Sequence, residues 1–289
     1  MSGEEQRDER SLIEKVVDAL HRLPVRVSPF LSKAARPSPG SRAALEEEST
    51  STDLVRLQMV RAVRRRCLDA LRIASDSVDG TSRLLQSPPL MSMPGPVIRA
   101  GLEAAGLVCW LSEYGLSSDQ RIQRYIAVRK DDLARELDLS RIGLEGATQG
   151  TKAVLEEAVK YAKTQLEEFQ RKASQTHLPA VPLPKYADLA AICVAAYEYR
   201  MLTSLSHGSP FVYNVVDTMF RGRSPIENSP GIIFFHHLAT SADAYCRAVW
   251  SFSRYVFDDE LMNHLRALLE ETYDSLGMLE EPRSYFRGG

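Results

Sequence analysis

The chain has 289 residues, of which 44% are hydrophobic and 26% are charged, and its formal net charge at pH 7 is −2. This composition is typical of a soluble globular protein, and it excludes a global positive field that would attract nucleic acid or anionic lipid. No apolar run approaches the roughly 20 residues that a membrane-spanning helix needs, so we expect no membrane association.

The cysteines and the N-terminus predict a cytoplasmic protein. Cys67, Cys109, Cys193 and Cys246 stand singly in helical patterns, which predicts reduced, buried thiols. The charged N-terminal residues lack the apolar core of a signal peptide.

Residues 1–24 are predicted to form one amphipathic helix, because Ser11 and Glu14 make a capping-box pattern ahead of an apolar stripe. Residues 25–52 are rich in Ser, Pro and Glu and predict a disordered linker. The sequence leaves open whether the tethered helix docks on the main domain, binds a partner protein or stays unattached.

Residues 53–279 are predicted to form one helical domain, followed by a tail over 280–289. Asp53 is a plausible N-cap for a long helix reaching about Val78. Further helices are predicted over 96–114, 117–139, 151–173, 184–207, 209–220, 230–257 and 259–276. Because no alternating strand pattern is convincing, the expected fold is all-α, a single bundle of roughly eight helices with the N-terminal helix on a flexible linker.

The stretch from Pro184 to Pro210 carries a polar set on one helical face. Tyr197, Arg200, Ser204 and His207 follow one another at spacings of three, four and three residues. Arg200 and His207 therefore differ by only about 20° around the helix axis and lie about 10.5 Å apart along it.

This set suits cleavage of a phosphodiester without a metal ion. A neutral imidazole at His207 would remove a ribose 2′-hydroxyl proton, or its charged form would protonate the leaving oxygen. Arg200 would hold the phosphate through its forked donors, and Ser204 and Tyr197 would orient it. The alternative is architectural: His207 caps the helix, Arg200 pairs with a carboxylate and Tyr197 lies in the core.

The segment Tyr199-Arg200-Met-Leu-Thr-Ser-Leu-Ser-His207 resembles the signature of HEPN-domain proteins, in which His follows Arg near the end of a helix. Upstream, the run RAGLEAAGLVCWL from Arg99 to Leu111 resembles a helix of an uncharacterised bacterial branch of that superfamily, and Arg121 and Arg124 follow in the expected helix. The resemblance covers roughly residues 53–257.

The resemblance implies a helical bundle, often a homodimer, and frequently metal-independent RNA cleavage in defence or toxin systems. It adds Arg99 and Arg124 to the expected substrate-binding residues, beside Tyr197 and Ser204, with Arg200 and His207 catalytic. It implies RNA as the partner and no cofactor.

Two weaker patterns have an ordinary explanation beside the functional one. His236 or His237 with Asp243 is a conceivable metal site, but adjacent histidines point about 100° apart, and we expect a packed or capping pair and no metal. The helix after Asp53 is basic, which predicts a solvated face or, alternatively, a track for RNA phosphates; its arginines are Arg56, Arg61, Arg64, Arg65, Arg66 and Arg72.

Two functions from different classes therefore stand at this point. One is a HEPN-like endoribonuclease or RNA-binding protein that uses Arg200 and His207. The other is a non-catalytic helical interaction module in which the same residues are structural.

Overall fold

The structure is a computed structural model that describes residues 3–86, 94–194, 199 and 230–275. Within these ranges the regular secondary structure is helical throughout and contains no strand, which confirms the predicted all-α class. The helices are α1 (Gly3–Lys33), α2 (Arg42–Ser49), α3 (Leu54–Gln86), α4 (Pro94–Leu111), α5 (Ser118–Glu145), α6 (Gln149–Ser174), α7 (Tyr186–Ala190), α8 (Pro230–Val256) and α9 (Asp259–Ser275). None of these described helices has the length and apolar character needed to cross a bilayer.

The described chain divides into two compact units. The larger unit draws on residues 1–44, 65–114 and 185–289, and the smaller unit draws on residues 45–64 and 115–184. Helix α3 contributes its first part to the smaller unit and its remainder to the larger one.

The larger unit is built around α4. Helices α7 and α8 pack against α4, and α1 packs against α8 and α9. Fully buried side chains of this core include Leu20, Leu23, Leu71, Ile98, Leu102, Leu111, Tyr245, Phe252, Tyr255 and Tyr273. A Cβ at Gly106 would lie 2.0 Å from the carbonyl oxygen of Leu189, so the close approach of α4 and α7 requires glycine there.

The region predicted as a disordered linker, residues 25–52, is instead mostly helical. Helix α1 runs through Pro24 and Pro29 to Lys33, and α2 follows. The physical reason is an apolar stripe that the larger unit buries; its members are Leu20, Leu23 and Val27 of α1 and Ala34 directly after the helix. Burial of such side chains contributes about 1.5–3 kcal/mol each, which offsets the roughly 3 kcal/mol that a proline costs inside a helix.

The segment after α1 is also tied to the larger unit. The Ser38 N–H donates to the carbonyl oxygen of Val256 at 2.8 Å, and Arg26 pairs with Glu271 of α9. The predicted separation of residues 1–24 from a body beginning at residue 53 is therefore corrected: α1 is a packed helix of the larger unit.

The smaller unit contains the antiparallel hairpin of α5 and α6. The helix start predicted at residue 117 is confirmed by a capping box: the Gln120 N–H donates to Ser117 Oγ and the Ser117 N–H donates to Gln120 Oε1, at 3.2 and 2.8 Å. The rings of Tyr125 and Phe169 meet edge to face across the hairpin, with centroids 6.0 Å apart. Asp53 caps α3 as predicted, with Oδ1 accepting from the N–H groups of Val55 and Arg56.

The long helix predicted from Pro184 to His207 is interrupted. Helix α7 ends at Ala190, and residues 191–194 form turns. The N–H groups of Ile192 and Cys193 bond to carbonyls three residues back, a tighter pattern than the α-helix allows. The helix predicted over 209–220 and the tail over 280–289 lie outside the described residues.

Candidate functional site

Two of the six residues predicted for the site, Arg99 and Arg124, lie in the described part of the chain. The remaining four lie outside the described residues: Tyr197, Arg200, Ser204 and His207. Tyr199, which directly precedes Arg200, is described, and its side chain is buried. The structure therefore describes the residue that directly precedes the predicted catalytic segment.

Tyr199 is held by α4. Its hydroxyl donates to Glu103 Oε1 at 2.5 Å, and Arg99 Nε donates to the same oxygen at 2.8 Å. The Arg99 guanidinium carbon lies 5.7 Å from the centroid of the Tyr199 ring. These three residues, called here the α4 polar cluster, join the chain directly before Arg200 to the helix that carries Arg99.

The protonation states of the cluster follow from its geometry. Burial and the hydrogen bond to Glu103 raise the pKa of the Tyr199 phenol, so it remains a neutral donor at physiological pH. The hydrogen bond to Glu103 also raises the pKa of Arg99, which stays charged. The cluster thus contains the Arg99 cation and the neutral Tyr199 hydroxyl, which both donate to the Glu103 carboxylate. These contacts fix the position of the Tyr199 side chain against α4.

Arg124 lies half-buried on α5 and belongs to the smaller unit, whereas Arg99 belongs to the larger one.

The basic face of α3 is largely paired with acids. Arg61 donates to Glu47 at 3.0 Å, Arg64 contacts the same carboxylate, and Arg56 pairs with Asp119. Burial raises the pKa of Glu47, but hydrogen bonds from Arg64 and Arg61 outweigh it and leave the pKa below its usual range. These pairings reduce the charge that an RNA backbone would meet on this part of the helix.

Asp243, the carboxylate considered as a metal ligand, is held by two neighbours. Arg247 Nε donates to its Oδ1 and Oδ2 at 3.0 and 2.9 Å, and the Tyr273 hydroxyl donates to Oδ1. The side chains of His236 and His237 lie outside those described. Among the described residues, no group of three or more His, Cys, Asp and Glu side chains is placed to hold a metal ion.

Cys109 of α4 and Cys193 of the turn after α7 form a buried thiol pair, with their sulfur atoms 3.3 Å apart. The hydrogen bond to Cys109 and burial raise the pKa of the Cys193 thiol. Because the thiolate is the reactive form, Cys193 is a poor nucleophile at neutral pH.

A cavity of about 300 Å³ opens in the larger unit at the end of α4. Its lining combines aromatic, charged and small side chains: Cys109, Trp110, Glu113, Tyr114, Ile192, Trp250, Ser251 and Arg254. The Arg254 guanidinium carbon lies 4.0 Å from the centroid of the Tyr114 ring. Sequence reasoning missed this cavity. The spacing of Trp110 and Tyr114 at i and i+4 was a signal, but nothing local pointed to Trp250 and Arg254.

No family model, curated protein or solved structure gives a significant match to this chain.

Proposed function

We propose that this chain is a HEPN-type protein that binds RNA and cleaves it without a metal, with Arg200 and His207 as the catalytic pair in a homodimer. One observation supports this best: Tyr199, the residue before Arg200, donates a hydrogen bond to Glu103 beside Arg99. Tyr199 is the first residue of one segment that carries the family resemblance, and Arg99 and Glu103 belong to the other, so this hydrogen bond joins the two at Tyr199.

In this proposal the α4 polar cluster positions the reactive segment. Tyr199 is buried and donates to the Glu103 carboxylate, which is itself paired with Arg99. The residue directly before Arg200 is therefore held in place. Arg200 neutralises the phosphate in the transition state, and His207 transfers the proton. Such positioning matters because the effect of a general acid or base depends on its placement relative to the reacting oxygen.

The test is cleavage of single-stranded RNA in the presence of EDTA. We expect His207→Ala and Arg200→Ala to lower the rate by about 10²–10⁴, with melting temperatures close to that of the parent protein. Arg200→Lys should restore activity only in part, because an ammonium group lacks the guanidinium fork. Arg72→Ala is the matched control, since Arg72 is exposed and pairs with its helix neighbour Asp69.

A parent protein without metal-independent cleavage would refute the nuclease proposal. So would equal losses of stability in the Arg200 and His207 variants together with unchanged cleavage. A homodimer is checked by sedimentation equilibrium, which should give twice the mass of one chain.

A non-catalytic helical interaction module is the second candidate, and the pairing of arginines favours it. Carboxylates neutralise a series of guanidinium groups among the described residues: Arg56, Arg61, Arg64, Arg99, Arg121 and Arg247. A protein that binds RNA phosphates should lose affinity steeply as salt is raised. RNA affinity that is absent at low salt would favour this second candidate.

A further inference from the structure

We propose that the cavity at the end of α4, called here the aromatic cavity, binds one base of single-stranded RNA. The inference rests on the proposed function and adds to it a recognition site whose lining residues are other than the proposed catalytic pair. It is carried by the lining of the cavity, by its size and by its position on α4.

The lining offers flat aromatic surfaces. Trp110, Tyr114 and Trp250 all border the cavity; Tyr114 is 73% exposed and Trp110 is half-buried, whereas Trp250 is buried and forms part of the cavity wall. Stacking of a base on an aromatic side chain contributes about 1–3 kcal/mol in proteins that bind single strands. The volume of about 300 Å³ is at the lower end of the range of small-molecule sites, which suits one planar base better than a larger ligand.

The polar groups at the cavity match the edge of a base. Arg254 lies over the Tyr114 ring and supplies donors, and Glu113 supplies carboxylate acceptors. Base edges carry both donors and acceptors, so this mixed set is complementary to them. A phosphate would be repelled by Glu113, and a purely apolar side chain would make no use of either charge.

The cavity lies on the same side of α4 as the α4 polar cluster. Trp110 follows Glu103 by seven residues, which places it two turns further on, about 10.5 Å along the axis and about 20° around it. Glu103 in turn holds Tyr199, directly before Arg200. A strand whose base occupies the cavity is thereby held about two helical turns of α4 from the contact between Glu103 and Tyr199.

Both tryptophans of the chain line the cavity, so tryptophan fluorescence reports on its occupancy. The full-length His207→Ala protein is titrated at low salt with a short single-stranded RNA, an abasic sugar-phosphate oligomer of the same length, and nucleoside monophosphates. We expect saturable quenching by the RNA and none by the abasic oligomer. Tyr114→Ala and Arg254→Gln should each weaken RNA binding about tenfold, a change of about 1.4 kcal/mol.

The matched control is Tyr161→Ala on α6, which removes another exposed tyrosine, 62% accessible, from the smaller unit and should leave affinity unchanged. Unchanged RNA affinity in both Tyr114→Ala and Arg254→Gln would overturn the cavity assignment. Quenching by free monophosphates without quenching by RNA would overturn it as well.

The two proposals fail separately. If cleavage depends on His207 but the cavity variants bind RNA normally, the base-binding proposal fails and the nuclease proposal stands. If RNA quenches the fluorescence in a manner that depends on Tyr114 but the parent protein does not cleave RNA, the nuclease proposal fails and the base-binding proposal stands.

Discussion

At the residue scale, the buried ion pair of Arg121 and Glu46 makes the stability of the protein sensitive to substitution of either residue. Their side chains are 2% and 5% accessible, and Arg121 Nη1 donates to Glu46 Oε1 at 2.6 Å and to the Leu116 carbonyl at 2.9 Å. Taking two charges out of water is costly, and their attraction roughly offsets that cost only while both are present. Removing one deprives the other buried charge of this partner.

Arg121→Met should therefore lower the free energy of unfolding by about 3–5 kcal/mol, measured by urea denaturation. Arg72→Met, at an exposed pair with Asp69, should change it by no more than about 1 kcal/mol. Adding Glu46→Met to Arg121→Met should recover most of the loss, because the buried charge is then gone. A single variant as stable as the parent protein would contradict the burial described here.

Tyr199→Phe tests the α4 polar cluster. The change removes a hydrogen bond to a charged group, which should cost about 1.5–3 kcal/mol at pH 7. Because the pKa of Tyr199 is raised in the folded state, its contribution is fully present below the unfolded pKa of about 10 and is lost as pH rises through the folded pKa. The stability difference between parent and variant should consequently shrink above about pH 10.

The control for this change is Tyr161→Phe, because Tyr161 is exposed and its substitution should leave stability nearly unchanged at both pH values. A Tyr199→Phe penalty that is equal at pH 7 and pH 11 would show that the phenol does not donate to Glu103.

At the element scale, α1 shows how tertiary burial overrides local composition. The helix contains two prolines and continues into a segment whose Ser, Pro and Glu content is typical of linkers. Its buried stripe nevertheless packs on α8 and α9, and Arg26 pairs with Glu271 far along the chain. The element is stable because of what it contacts, and its intrinsic helix propensity contributes little.

Val27 and Val25 provide a matched test of α1. Val27 is fully buried and Val25 is 67% exposed, although the two are only two residues apart in the same helix. Val27→Ala should lower the free energy of unfolding by about 2 kcal/mol, whereas Val25→Ala should leave it nearly unchanged, as measured by chemical denaturation. If neither substitution changed the free energy of unfolding, the result would favour the predicted disordered linker over a packed α1.

At the scale of the whole molecule, several carboxylates are held ionised by arginines. Burial raises the pKa of Asp79, but hydrogen bonds from Arg83 and His21 outweigh it and lower the pKa overall; Glu47 follows the same pattern with Arg64 and Arg61. One of these carboxylates lies in the larger unit and the other in the smaller unit. Acidification should therefore weaken both units.

Stability should accordingly be constant from pH 7 to about pH 5 and fall below about pH 4. The sign follows from the lowered pKa values: the stabilisation is present above the unfolded pKa of about 4 and is lost as pH falls through the folded values. Denaturant midpoints measured across this range provide the test, and Glu47→Gln should flatten the acid slope. A midpoint that rises on acidification would contradict these pairings.

The sequence by itself determined the helical class and most helix starts in the described chain. Asp53 and the Ser117–Gln120 capping box mark helix starts because a cap depends on residues three positions away, and apolar spacing of three and four residues is also local. The resemblance named Arg99 as a substrate-binding residue, and that role stays a prediction; in the structure Arg99 donates to Glu103, which also accepts from Tyr199.

Only the tertiary structure decided the rest. The helical state of residues 25–33, the interruption after Ala190 and the lining of the aromatic cavity each depend on side chains distant in sequence, such as Glu271 for Arg26 and Arg254 for Tyr114. No local pattern records those partners, because burial free energy and ion pairing are properties of the packed surface and not of the segment. The sequence therefore specified where helices begin, and packing specified which helices persist and which side chains meet.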